Sequence, residues 1–186
     1  MSKVYLEDIA QAFEDMADGW KGYVDRIEGE VIFVPLSQDA KSEFSKEELL
    51  EFETEEFFEN LVSLPEQKAL REYDIMEQYT EDIMNTGYKQ RLSHALHNNK
   101  PFRNFRAQIR YLGLEDDYFH YRFVVFTSIA RKFCLENKLE FEIESDEIRE
   151  YIAQVEDDEK FDQEMESFSD TLDEFDYEEE YDDYFD

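Results

Sequence analysis

A chain of 186 residues, 41% of them hydrophobic and with Phe 17 and Tyr 12, can bury one core, so a formal net charge of −31 does not mark it as disordered throughout. That charge disfavours whole-body binding to DNA, RNA or anionic lipid, and the single Cys134 excludes an internal disulfide or a cysteine zinc site. No run of about 18 apolar residues is present to cross a bilayer, and the opening MSKVYLEDIAQAF lacks the features of a secretory signal, so the protein is expected in the cytoplasm and away from membranes.

In chain order, Leu6, Ile9, Phe13, Met16 and Trp20 recur at three- and four-residue steps and draw one apolar stripe down a first helix that ends near Gly19 or Gly22. YVDRIEGEVIFVP predicts a hairpin, with Glu28 and Gly29 as a two-residue turn and Pro35 ending the ladder. SKEE at 45–48 is a capping box, and Leu50, Phe57 and Leu61 continue that helical face until Pro65. Met76, Tyr79 and Ile83 mark a helix ending near Gly87, and KQRLSHALHNN a shorter one. Pro101 suits a first helical turn, because its missing N–H needs no partner there and its φ is preset. In the helix it opens, Phe102, Phe105, Ile109 and Leu112 form one stripe and Arg103, Arg106 and Arg110 a second, roughly 100° around the axis. Gly113 is the expected stop, and Asp116 the expected cap of a long central helix whose apolar face is Phe119, Phe123, Phe126, Ile129 and Phe133. The expected fold class is α+β, mainly α-helical: a small N-terminal β-hairpin packed on a helical domain spanning 1–155, followed by an acidic C-terminal extension, 156–186.

The acidic excess is unevenly placed. Residues 156–186 hold 17 acids and one cation, Lys160, a net of −16, whereas residues 88–132 hold nine cations against Glu115, Asp116 and Asp117, a net of +6. Within the basic region, KPFRNFRAQIRYLG at 100–113 has no acid at all. Within the acidic one, Phe161, Met165, Phe168, Leu172 and Phe175 fall at steps of four, three, four and three, the seam of an amphipathic helix suited to a groove. Such a helix is marginal alone, because like charges repel along it, so the segment is expected to be partly disordered or docked on a partner surface.

FRNFRAQIRYLGLEDDYFHYRFVVFTSIARKFCLEN resembles the bacterial uncharacterised protein family 0158. Its members share a Phe-Arg-x-Phe helix followed by a loop, an acidic residue, an aromatic pair, another aromatic with Arg, and a long helix. The matching positions are Phe102, Arg103 and Phe105, then Asp117, Tyr118, Phe119, Tyr121 and Arg122, and LPEQKALREYDIMEQYTEDI and YVDRIEGEVIF are similar as well. The resemblance covers roughly residues 20–140 and departs from the family at Tyr118 and Phe133, where members usually place Trp. It implies the fold and no established activity.

His94 and His97 are three apart but lack a helical carboxylate at metal-ligand spacing, which points to solvated or capping roles. Cys134 is expected to be a small buried hydrophobe. Carboxylates are too numerous for a pair at acid–base spacing to carry weight, and G-x-x-x-x-G-K-[ST], H-E-x-x-H and G-x-S-x-G are all absent. DDEKFDQEMESF lacks the sixth-position glycine of an EF-hand loop. No catalytic residue, metal ligand or cofactor is therefore expected. The candidate binding residues are Arg103, Arg106, Arg110 and Arg122 together with Phe161, Met165, Phe168, Leu172 and Phe175.

Three readings stay open. The acidic seam docks on its own domain against the arginines; or it reaches another protein; or the arginine stripe binds RNA or DNA while the tail competes. The expectation is a non-enzymatic protein-binding or regulatory protein acting through the acidic tail and a helical groove beside Arg103 and Arg110. The alternative is a nucleic-acid-binding protein using residues 100–113 and autoinhibited by the tail.

Overall fold

A computed structural model of the chain describes residues 2–66 and 70–156. The chain divides after Ile148 into two units, and the architecture that follows is that of the first. Among the described residues, helices far outweigh five short strands, so the class is α+β and mainly helical, as expected.

Strand β1 (Val4–Tyr5) runs directly into α1 (Leu6–Asp15), whose Leu6, Ile9 and Phe13 are buried along one face. The stripe stops sooner than its spacing implies. Met16 leaves helical geometry, Gly19 takes φ 86, and Trp20 opens strand β2 (Trp20–Asp25) instead of closing the helix. β2 pairs antiparallel with β3 (Val31–Pro35), with Val24 opposite Val31. The turn between them is longer than two residues. Asp25 Oδ1 accepts from the N–H groups of Ile27 and Glu28 at 2.7 and 3.1 Å, and Gly29 at φ 74 reverses the chain; a carboxylate that organises its own turn overrides the Glu-Gly pair.

After α2 (Gln38–Lys41), Ser45 and Glu48 form the expected capping box at the head of α3 (Lys46–Glu51). The helical face read through Leu50, Phe57 and Leu61 is not one element. α3 stops at Phe52, Thr54 caps a fresh helix α4 (Glu55–Phe58), and Leu61 begins strand β4 (Leu61–Ser63), which pairs antiparallel with β2 through Val24 and Val62. Two local caps break a spacing that looked continuous. The resulting sheet has the order β3–β2–β4.

The helical half comprises α5 (Glu72–Asp82), α6 (Thr86–Leu96), α7 (Pro101–Leu112) and α8 (Glu115–Glu136). Asn85 Oδ1 accepts from the N–H groups of Gly87 and Tyr88 at 3.0 and 3.1 Å and so starts α6, which places Gly87 inside a helix and not at the end of α5. Pro101 opens α7 and Gly113, at φ 69, closes it, both as expected. Asp116 is not a cap: it lies in the first turn of α8 with Glu115 and Asp117, three carboxylates at the positive end of the helix dipole. Met76, Tyr79, Leu92, Leu96, Phe105, Ile109 and Tyr118 form the core of this half. On α8 the buried position belongs to Tyr118 and the exposed one to Phe119; Phe126 and Phe133 are buried, Phe123 and Ile129 half-buried. A single stripe fails because α8 packs on two sides. Phe126 meets Phe13 of α1 edge-on at 5.9 Å, while Tyr118 meets Tyr79 of α5 and Phe105 of α7, each at 5.1 Å. Strand β5 (Phe141–Glu142) pairs in parallel with β1, and α9 (Asp146–Glu156) starts at the end of this unit and continues into the second.

Candidate functional site

Of the four arginines read as candidates from the sequence, Arg103, Arg106 and Arg110 are exposed on α7 and Arg122 is largely covered. Arg103 and Arg110 are seven residues apart, two helical turns, on the side of α7 opposite the buried Phe105 and Ile109. Arg110 is 77% exposed and meets Glu115 at 3.1 Å; Arg103 and Lys100 have no ion-pair partner among the described residues. Lys100 holds a left-handed φ of 62, which turns the chain from α6 into α7. From Thr86 to Leu112 there are six cations and no acid, so nothing on these two helices neutralises the face. Exposed rings flank it. The Arg91 guanidinium lies 5.7 Å from the centroid of the exposed Tyr111, and Phe102 meets Tyr73 edge-on at 6.4 Å. Solvated contacts of this kind add little stability, so the face is a presentation of charge and ring, not a structural tie.

Arg122 turns inward, and Arg106, itself 61% exposed, reaches one of the same carboxylates from the surface. The Arg122 side chain is only 14% exposed; its Nε and Nη2 donate to Glu14 Oε1 at 3.2 and 3.0 Å, and its Nη1 donates to Glu72 Oε1 at 3.2 Å. Arg106 Nη2 reaches the same Glu72 oxygen at 3.4 Å. The Arg122 guanidinium also lies 5.3 and 5.5 Å from the ring centroids of Phe119 and Phe126. One planar cation thereby ties α1, α5 and α8 together, and Arg106 brings in α7. Beside this junction Tyr118 is 2% exposed, and its hydroxyl has no hydrogen-bond partner among the described residues. Burial pushes its pKa up, the Glu72 charge adds to that, and Arg122 opposes it. Tyr79 donates to Asp117 Oδ2 at 2.7 Å and is likewise raised, first by burial and then by that acceptor. Both phenols therefore stay neutral and serve the core. Glu14 and Glu72 escaped the sequence reading: they lie 108 and 50 residues from Arg122, and no spacing links them to it.

The remaining candidates are scattered. Phe161, Met165, Phe168, Leu172 and Phe175 lie outside the described residues. His97 lines a cleft of about 300 Å³ between α5 and α6 together with Glu77, Glu81, Lys89 and Ser93; its Nδ1 donates to the Ser93 carbonyl at 2.7 Å. His94 is not part of that cleft, and His120 faces Glu147 at 3.5 Å. Cys134 is buried, and burial pushes its thiol up to about 12, so it is neither ionised nor nucleophilic at neutral pH. Among the described residues, no three His, Cys, Asp or Glu side chains are placed to hold a metal ion, and no helix is long and apolar enough to cross a membrane.

Fold and surface together define a mainly helical α+β protein with an exposed basic helix above a charged four-helix junction. Residues 3–147 match the uncharacterised protein family UPF0158, and the chain belongs to that family. The match takes in β1, α1 and β5 beyond the segment that carried the resemblance. No curated protein and no solved structure matches the chain.

Proposed function

We propose that this is a cytoplasmic, non-enzymatic binding protein whose exposed α6–α7 face takes up an acidic, apolar-striped segment of another protein. The observation that carries the reading is the division of the arginines. Arg122 is held on the part-buried carboxylates of Glu14 and Glu72, whereas Arg103 and Arg110 stand exposed on α7 beside the exposed rings of Phe102 and Tyr111, with Arg106 reaching Glu72 from the surface between them. Residues 156–186 have the matching chemistry in their sequence, with Phe161, Met165, Phe168, Leu172 and Phe175 spaced among carboxylates, so the chain carries its own competitor for the face. Two acidic bodies repel at long range, but at about 0.15 M salt charges farther apart than roughly 8 Å are screened, and the local cations then decide the contact.

The test is fluorescence anisotropy of a labelled peptide spanning 156–186 titrated with the full chain. Binding is expected, weakened at least about tenfold by Arg103→Glu with Arg110→Glu, and strengthened when Phe168→Asp is introduced into the chain itself. Unchanged affinity in the double arginine variant would sink the reading. The exposed Tyr111 beside Arg91 also suits base stacking, which supports the second reading of single-stranded nucleic acid as ligand. In that case poly-uridine binds more tightly than the peptide, with affinity that falls steeply with salt.

A further inference from the structure

We propose that the aromatic, acidic face of α3 and α4 is a docking site for an arginine-rich segment of a partner protein. Six rings form a continuous arc there, running Trp20, Phe44, Phe52, Phe57, Phe58 and Tyr23, with successive centroids between 5.1 and 5.8 Å apart. None of the six is buried, and neither α3 nor α4 contributes a single buried residue. Leu50, in α3, is 63% exposed. The six rings are half-buried and, with the exposed Leu50, leave a part-open apolar surface, which on a folded domain suits binding.

The rim of the arc says what binds. Glu47, Glu51, Glu53, Glu55, Glu56 and Glu59 are all exposed and have no ion-pair partner among the described residues. No Lys or Arg occurs from Glu47 to Glu66. Ring faces carry negative potential and carboxylates carry negative charge, so both select cations and reject nucleic acid. The molecule contains an occupied example of the same combination. Arg122 lies against the rings of Phe119 and Phe126 while its N–H groups reach the carboxylates of Glu14 and Glu72. The α3–α4 face repeats the rings and the carboxylates without the guanidinium. Arginine fits better than lysine, because its planar group stacks on a ring while its edge bonds carboxylates, whereas an ammonium is a strongly hydrated point charge. A body of charge −31 attracts a basic partner from a distance and repels a second copy of itself. The proposal does not depend on the α7 face, which shares no residue with it.

Trp20 is the only tryptophan in the chain and ends the arc, so its emission reports on this face alone. The experiment titrates the full chain with octa-arginine at about 0.15 M salt, following peptide anisotropy and Trp20 emission together, with octa-lysine in parallel. A saturable change in Trp20 emission is expected, with octa-lysine several-fold weaker. The combined variant Glu51→Gln, Glu53→Gln, Glu55→Gln and Glu56→Gln, whose exposed side chains leave the fold intact by circular dichroism, is expected to bind octa-arginine about tenfold more weakly in the emission readout. Anisotropy that rises while Trp20 emission stays constant places the peptide on residues 156–186 and overturns the proposal. Equal affinity of the glutamine variant overturns it too, as does equal affinity for octa-lysine, since charge alone then accounts for binding.

Discussion

Residues 86–112 carry six cations and no acid, residues 47–66 eight acids and no cation, yet the two stretches are held in place by different forces. α7 points its charges outward because Phe105 and Ile109 on its other side are almost wholly buried in the helical core. α3 and α4 contain no fully buried residue; the Ser45 and Thr54 caps and a chain of half-buried rings hold them. Charge segregation marks where a surface lies, and the packing beneath it decides how firmly that surface is presented. A basic helix anchored in a core holds its charges in fixed geometry, whereas the half-buried aromatic arc is held mainly by its own ring contacts.

The sharpest way to break this comparison is to remove an anchor from each side. Phe105→Ala is expected to cost about 3–5 kcal/mol in chemical denaturation, the range for an emptied aromatic site in a core. Phe57→Ala, in the open arc, is expected to cost far less, and equal losses would show that the arc is a true core after all. Next in size is Arg122→Ala, expected to cost about 2 kcal/mol because Glu14 loses its cation in a partly buried place and Glu72 keeps only the contact from the exposed Arg106. A loss near zero would mean that the junction is solvated.

Ser45→Ala should cost about 1 kcal/mol, since its hydroxyl accepts from the Glu48 N–H at the start of α3. Glu48 itself is held below its ordinary value of 4.5, first by the Ser45 N–H and then by the Ser45 side chain. Its folded pKa is therefore the lower one, and its contribution is present above about pH 4.5 and lost as pH falls through the folded value. The stability gap between the wild type and Glu48→Gln should accordingly shrink on acidification below that point in a urea series run at several pH values; a gap independent of pH would discard the capping interaction. The smallest effect belongs to the exposed basic face. Arg103→Glu should change stability by less than about 0.5 kcal/mol, because surface positions without partners seldom matter to folding. A larger loss would give Arg103 a structural role.

Composition and periodicity alone determined the class of this protein, the amphipathic character of α1 and α7, the Pro101 start and Gly113 stop of α7, the Ser45–Glu48 box and the separation of acidic from basic stretches. Each of these is a local property: caps, turns and helix faces are written in residues a few positions apart. The tertiary structure decided the rest. It moved Trp20 and Leu61 out of helices and into the sheet, because a strand forms only when a distant neighbour supplies its hydrogen bonds, as Val62 does for Val24. It chose Tyr118 over Phe119 for burial, since a helix packed on two sides has no single apolar stripe. It also set Arg122 apart from the three arginines that α7 leaves exposed. Nothing near Arg122 in the chain distinguishes it from Arg110; the difference lies in Glu14 and Glu72, which only folding brings to it.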